Sequence, residues 1–261
     1  MTAVLASQAS SSAKSKPVST GSLIAVELRK MVNTRAGVVL LAVVAFIALA
    51  MTVVRIFAGD ADSRTLTGFL TFAAVPVSIP LPIIGILAVT SEWSQRTALT
   101  TFSLVPKRSR VAFAKLAAVI VLALITIVVS VALAAVGNAV APALAESNGS
   151  WELSATTLLH IGLYHVISLF VGFAFGMITM NSVMGIVLYF ALPAVWSILS
   201  GLIEAVRDVA AWLDMNQSFG PLLGVAELSG ESWAKVLVSV AVWGVLPMVV
   251  GLVRLNRSEI K

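Results

Sequence analysis

The chain has 261 residues, of which 59% are hydrophobic and only 11% are charged, and its mean hydropathy is +1.02. A soluble domain of this size would expose apolar patches large enough to aggregate, so the composition excludes that class and predicts an integral membrane protein. The net charge of +5 is explained by membrane orientation without invoking nucleic acid, and the absence of cysteine excludes disulfides, thiol nucleophiles and cysteine metal sites.

The amino-terminal region divides into a polar tail and an amphipathic helix. Residues 1–21 are rich in Ser and Ala, which is typical of a disordered tail. Residues 22–36 predict a short helix whose apolar positions alternate with charged ones. Its charged residues are Glu27, Arg29, Lys30 and Arg35. Such a helix before a first span lies in the headgroup plane, with its cations near membrane lipids, and the same geometry also suits docking to a protein partner.

Six apolar segments predict six transmembrane helices, because about 20 residues at 1.5 Å rise cross a ~30 Å hydrocarbon layer. The predicted spans are 38–54, 69–89, 111–136, 157–180, 182–202 and 236–253. Their continuous apolar character favours helices over barrel strands, which would alternate. The sequence therefore predicts an all-α, polytopic fold with one six-span domain over residues 22–261. Pro76, Pro80 and Pro82 predict a bend in the second span, either as a structural kink or as part of a gated pathway.

A charged island, residues 91–110, separates the second and third spans, and Lys115 follows just inside the third span. Its apolar side chains suit insertion into a groove of a partner, and its cations suit pairing with that partner's acids or with lipid phosphates. The apolar set is Trp93, Leu99, Phe102 and Leu104, and the cations are Arg96, Lys107, Arg108 and Arg110. Pro106 predicts a helix stop before the third span. The simpler interpretation is an ordinary basic loop with a Trp at the interface.

The fourth span carries two histidines and a row of small residues. His160 and His165 lie five residues apart, whereas a zinc pair on one helix favours a spacing of four, so packing histidines are favoured over a metal site. We predict no metal and no cofactor. Ser168, Gly172 and Gly176 are spaced by four, a pattern that allows close approach of another helix.

Charge position predicts the orientation. Six spans put both termini on one side, and residues 203–232 then form an amphipathic segment that folds back into the outer interface. With cytoplasmic termini, 13 of the 17 Lys and Arg but only 3 of the 12 Asp and Glu fall inside. The inside cations are Lys14, Lys16, Arg29, Lys30, Arg35, Arg96, Lys107, Arg108, Arg110, Lys115, Arg254, Arg257 and Lys261. The positive-inside rule therefore predicts a multi-pass protein of the plasma or inner membrane with both termini in the cytoplasm.

Two absences limit the chemistry. The pattern Gly-x-x-x-x-Gly-Lys-Ser/Thr does not occur, so any ATP dependence has to come from another chain. The predicted spans hold almost no ionisable groups, which disfavours a proton-coupled transporter and an intramembrane protease. The chain is predicted not to be an enzyme.

The order of elements resembles the permease subunit of ATP-binding-cassette exporters of the ABC-2 type. In this pattern a carboxylate follows the second span, and a Thr, apolar residues, a Pro, basic residues and a Lys that opens the third span come after it. The matching positions are Glu92, Thr97, Leu99, Leu104, Pro106, Arg108 or Arg110, and Lys115, while Arg96 stands where that family often has glycine. The resemblance implies that residues 22–36 are a connecting helix, that the coupling loop 91–110 forms a helix seated in a groove of the ATPase, and that 203–232 are re-entrant outer helices.

The resemblance further implies a dimer of permeases, either two copies of this chain or a pair with a similar subunit, together with two nucleotide-binding ATPase subunits. An apolar lining favours an amphipathic or hydrophobic substrate for export. Two alternatives stay open at this point. The first is a non-transporting membrane scaffold or immunity protein that binds a partner and tolerates Glu92→Ala. The second is a membrane enzyme, which the lack of converging polar groups disfavours.

Overall fold

The structure, a computed structural model, describes residues 18–95, 97–105, 107–204 and 207–257. Within these ranges the chain forms twelve α-helices, two short 3₁₀ turns and one π-helical segment, and it contains no strand. The helices are α1 (Thr20–Asn33), α2 (Arg35–Ala58), α3 (Leu66–Ser78), α4 (Leu81–Ser94), α5 (Ala98–Leu104), α6 (Arg108–Leu144), α7 (Ala155–Thr179), α8 (Ser182–Leu202), α9 (Arg207–Leu213), α10 (Met215–Phe219), α11 (Gly230–Val240) and α12 (Leu246–Arg257).

Six helical segments in the described residues are long and apolar enough to cross a membrane. They are Arg35–Ala58, Leu66–Ser94, Arg108–Leu144, Ala155–Thr179, Ser182–Leu202 and Gly230–Arg257. The predicted all-α, polytopic fold is confirmed. Several helices extend past the predicted apolar runs because a helix continues through polar residues at the membrane boundary, as α6 does at its start through Arg108 and Arg110. Within this fold we call the end of the bundle that carries α1 and α5 the α1 side.

Helix α7 is the centre of the bundle and packs against α4, α6, α8 and α12. Two-thirds of its most apolar window is buried, as is the same share of the segment formed by α3 and α4. By contrast, only 17% of the corresponding window of α2 and 11% of that of α8 are buried. The bundle therefore has a closely packed centre and two loosely covered apolar helices, α2 and α8.

Prolines divide the second span into two helices. Helix α3 ends at Ser78 and α4 begins at Leu81, with Pro80 between them and Pro82 in the first turn of α4. A proline ring lacks the backbone N–H and clashes with the preceding turn, so this spacing interrupts a continuous helix. Across the break, α4 packs mainly against α7, whereas α3 packs mainly against α2 and α6.

On the side opposite α1, the predicted outer segment forms short helices. Helices α9 and α10 are followed by a 3₁₀ turn, Gly220–Leu223, and the last span already begins at Gly230 instead of 236. The segment is held against the last span because Trp243 Nε1 donates to the Leu213 carbonyl at 2.7 Å and Ser239 Oγ donates to the Trp212 carbonyl at 3.0 Å.

The ends of the chain fall partly outside the described ranges. The predicted disordered tail, 1–21, lies largely there, although α1 begins at Thr20, inside the predicted tail. Helix α1 ends at Asn33, three residues before the predicted end of the connecting helix, because Thr34 is extended and caps α2.

Candidate functional site

Four charged side chains from three helices meet on the α1 side of the bundle. We call Glu27, Lys30, Glu92 and Lys115 the charge ring. Lys30 Nζ lies 2.8 Å from Glu27 Oε1 and 2.8 Å from Glu92 Oε1. Lys115 Nζ lies 2.5 Å from Glu27 Oε2 and 3.1 Å from Glu92 Oε1. Each cation therefore touches both carboxylates, and the ring joins α1, α4 and α6.

The ring is mostly buried and electrically balanced. The side chains of Glu27, Glu92 and Lys115 are between 4% and 8% exposed, while that of Lys30 is 41% exposed. Buried charges are costly unless each has a partner and hydrogen bonds, and two cations with two carboxylates satisfy that condition. Burial alone would lower the pKa of Lys30, but hydrogen bonds to Glu27 and Glu92 and the charges of those carboxylates raise it, so Lys30 stays protonated at neutral pH.

Helix α5, which lies within the charged island of residues 91–110 and is called the island helix, is attached directly to this ring. Thr101 of α5 donates its hydroxyl to Glu92 Oε1 at 3.2 Å. The backbone N–H of Thr97, at the start of α5, donates to the Glu92 carbonyl at 2.9 Å. Glu92 thus receives Lys30, Lys115 and Thr101 on a single carboxylate oxygen. A displacement of α5 is expected to act first on Glu92.

The aromatic residues of the island pack inward. The rings of Trp93 and Phe102 lie 6.4 Å apart, and both side chains pack against the core that α1, α4, α6 and α12 share. The Arg108 guanidinium lies over the Phe102 ring at 5.5 Å. Trp93 and Phe102 therefore fix α5 to its own chain, and the surface that α5 presents to other molecules consists of other residues.

That outward surface contains Leu99 and Leu104, which are 53% and 74% exposed. Both lie on the seven-residue helix α5, Leu99 before and Leu104 after the attachment at Thr101. Exposed leucines on a rigid, polar-flanked helix are typical of a protein contact surface.

Two of the island's arginines bind backbone groups of neighbouring helices. Arg108 donates to the Leu255 carbonyl at 2.8 Å, which ties the start of α6 to the end of α12. Arg110 donates to the Val18 carbonyl and lies 3.4 Å from Thr20 Oγ1, which ties α6 to the start of α1. These contacts use cations that the sequence assigned to a partner's acids or to lipid. Arg96 and Pro106, also assigned to the coupling loop, lie outside the described residues.

Helix α1 packs against α6 with Leu23, Glu27 and Met31 buried, while Arg29 and Arg35 are exposed. Sequence reasoning placed Glu27 and Lys30 in the headgroup plane and missed the pairing of Glu27 with Lys115 and of Lys30 with Glu92. A signal was present. A lysine inside an otherwise uncharged span needs a carboxylate, and only Glu27, Glu92 and Glu259 are available on the predicted inner side.

The small residues of the fourth span lie against α4. A Cβ on Gly172 would overlap the backbone of Pro82, and one on Gly176 would come within 2.9 Å of the Ile86 carbonyl oxygen. Ser168 is buried on the same helix. His160 packs edge-on against Trp233 with ring centroids 5.5 Å apart, and His165 is fully buried. Across the described residues, no group of three or more His, Cys, Asp or Glu could hold a metal ion.

Comparison with known proteins identifies no similar protein. A scan of the chain against protein-family models finds no match, and a search of curated proteins finds no similar sequence. What the chain does has to be argued from the charge ring, the island helix and the exposed faces of the bundle.

Proposed function

We propose that this chain is the membrane subunit of an ATP-driven exporter, which moves an amphipathic or hydrophobic substrate with energy from ATP hydrolysed on a separate nucleotide-binding subunit. The observation that carries the proposal is the attachment of α5 to the charge ring. A permease driven by another chain needs a rigid surface element that passes displacement into its spans. Helix α5 meets that need because Thr101 and Glu92 connect it to α1, α4 and α6.

The proposal places the α1 side in the cytoplasm of a cell bounded by this plasma or inner membrane. The distribution of Lys and Arg supports this orientation through the positive-inside rule. It also puts α5 where ATP and an ATPase are present. On this orientation the short helices α9 and α10 lie at the outer surface.

The proposal includes a second permease subunit, either another copy of this chain or a similar one. The support is the weak burial of α2 and α8, whose exposed apolar residues include Phe46 at 69% and Ile198 at 62%. Both helices can be covered by lipid or by a second subunit, and a substrate path between two subunits needs spans of this kind. The resemblance to ABC-2 permeases, drawn from the order of elements, points the same way.

The test separates docking from folding. Leu104→Glu places a charge on the more exposed of the two outward leucines of α5 and touches none of the ring contacts. We expect the tagged variant to lose the ATPase that copurifies with the wild-type chain from native membranes in mild detergent, and to lose export. Val225→Glu is the matched control, since Val225 is 63% exposed on the opposite side of the bundle, and we expect it to keep both.

Three results would reject the proposal. One is a wild-type chain that brings down no nucleotide-binding subunit from cells that express its neighbouring genes. Another is a Leu104→Glu variant that still recovers the ATPase and exports normally. The third is a Val225→Glu control that loses the ATPase and export to the same extent as Leu104→Glu. The first result would favour the scaffold or immunity alternative.

A further inference from the structure

A cavity of about 510 Å³ opens beside the charge ring, between the start of α2, the end of α4 and the start of α8. Its volume lies within the roughly 300–1,000 Å³ typical of small-molecule sites. Its charged lining residues are Glu27, Lys30, Arg35 and Lys115, and hydroxyl and apolar side chains form the rest of the wall. The cavity therefore has charged, hydroxyl and apolar walls. The residues described above as contacting α5 do not line it.

The polarity of the cavity changes along the lengths of α4 and α2. Of its polar residues, Ser91 and Ser94 lie in the last turn of α4 and Gln95 is the residue that follows it. Its apolar residue Ile84 lies seven residues earlier, which is roughly 10 Å deeper at 1.5 Å per residue. Helix α2 repeats the gradient, with Arg35 at its first residue and Leu40 five residues further in. A lipid in the adjoining leaflet has the same order of polar and apolar groups.

The charges of the wall leave one cation in excess. Lys30 and Lys115 are neutralised by Glu27 and Glu92 in the charge ring. Arg35 is exposed and makes no hydrogen bond or ion pair to any residue that the structure describes. A cation at the first residue of a helix is also unfavourably placed relative to the helix dipole, so helix stability does not explain Arg35. An anion in the cavity would give Arg35 a partner.

We propose that this cavity binds the headgroup and first chain carbons of an anionic amphiphile from the adjoining membrane leaflet. Arg35 contacts the phosphate, and the hydroxyls of Ser91 and Ser94 complete the polar end. The chain lies along Leu40, Ile84 and Leu87. This site needs no ATPase, so it stands or falls separately from the exporter function.

The test uses native mass spectrometry of the purified full-length chain in a neutral detergent, titrated with three probes. Lysophosphatidylglycerol carries the anionic headgroup and a chain, lysophosphatidylcholine carries a zwitterionic headgroup and a chain, and glycerol 3-phosphate carries the anion alone. We expect one lysophosphatidylglycerol per chain, bound about tenfold more tightly than either other probe, since a charge-assisted contact and an apolar wall act together.

Two substitutions identify the residue responsible. Arg35→Gln is expected to weaken lysophosphatidylglycerol binding about tenfold, and Arg35→Lys is expected to keep it within about threefold, because charge is retained. Arg29→Gln is the matched control. It removes the same charge from an exposed residue of the preceding helix outside the cavity, and we expect binding within about twofold of wild type.

Several outcomes would overturn the proposal. Equal binding of the two lysolipids would remove the role of the anion. Glycerol 3-phosphate binding as tightly as the lysolipid would indicate a site for free phosphate instead of a membrane lipid. Equal weakening by Arg29→Gln would indicate a general effect of surface charge. A dimer that takes up no lysophosphatidylglycerol would show that a second copy of the chain fills this face.

Discussion

Removing one cation from the charge ring tests whether the four side chains act as a unit. Lys115→Met deletes the buried cation that contacts Glu27 at 2.5 Å and Glu92 at 3.1 Å. Two buried carboxylates then share Lys30, which is 41% exposed. Breaking a buried ion pair from one side costs about 3–5 kcal/mol, and the remaining Lys30 places this variant near the lower end, at about 3 kcal/mol. At about 2–4 °C per kcal/mol for a chain of this size, the apparent unfolding temperature falls by roughly 6–12 °C.

A double-mutant cycle separates pairing from burial. Glu92→Gln alone leaves two cations with one carboxylate, whereas Glu92→Gln with Lys115→Met leaves the balanced pair of Lys30 and Glu27. We therefore expect the double variant to lose less stability than the sum of the two single variants. The difference should be about 0.5–3 kcal/mol, the range found for residues in one ion-pair network.

The assay is thermal unfolding in detergent at one fixed heating rate, because membrane proteins unfold irreversibly and the midpoint depends on the rate. Arg207→Met is the control, since its pair with Glu204 is 3.8 Å long and its side chains are 60% and 90% exposed; no measurable shift is expected. Strictly additive losses in the cycle, or a Lys115→Met variant as stable as wild type, would refute the reasoning.

Two further substitutions test the packing of the bundle. Gly172→Val places side-chain atoms on the backbone of Pro82, so we expect a greatly reduced yield of folded protein by size-exclusion chromatography. Gly201→Ala is the control, because a Cβ there meets nothing within 4 Å, and it should behave as wild type. A well-folded Gly172→Val protein would contradict the close contact of α4 and α7. Asp214→Ala removes the side chain that accepts from the first backbone N–H groups of α10, and the expected loss is about 1 kcal/mol in thermal unfolding. The exposed Asp208→Ala should lose less, and equal losses would show that capping is not the cause.

The spans were predictable because length and apolar content determine a membrane helix almost alone. The position of the break in the second span was indicated by Pro80 and Pro82, and the tight turn after α7 by the short gap around Asn181. The sequence does not reveal which face of each span is buried. Helices α2 and α8 are as apolar as α7, so hydrophobicity alone could not distinguish the central helix from the exposed ones.

The site was only half predictable for a similar reason. Glu92 and Lys115 stood out because they lie at the ends of apolar runs, whereas Thr97 was named only through the resemblance to ABC-2 permeases. Trp93 and Phe102 resembled partner-binding residues, since an aromatic residue that packs on its own chain and one that packs on another have the same local sequence. Deciding between these roles requires the position of α1, which depends on contacts with α6 that lie more than 80 residues away in the chain.

The charge ring and the cavity share three residues, Glu27, Lys30 and Lys115. Two of them, Lys30 and Lys115, are bound to Glu92, and Glu92 is bound to α5 through Thr101. A displacement of α5 that moves Glu92 is therefore passed to the cavity wall directly, through the ion pairs of Glu92 with Lys30 and Lys115. Because α4 is fixed against α7 by glycine contacts while α2 and α8 are loosely covered, we expect such a displacement to move the α1 and α2 wall of the cavity relative to α4. A ligand bound there would resist that movement, so binding in the cavity and the position of α5 are expected to be coupled in both directions.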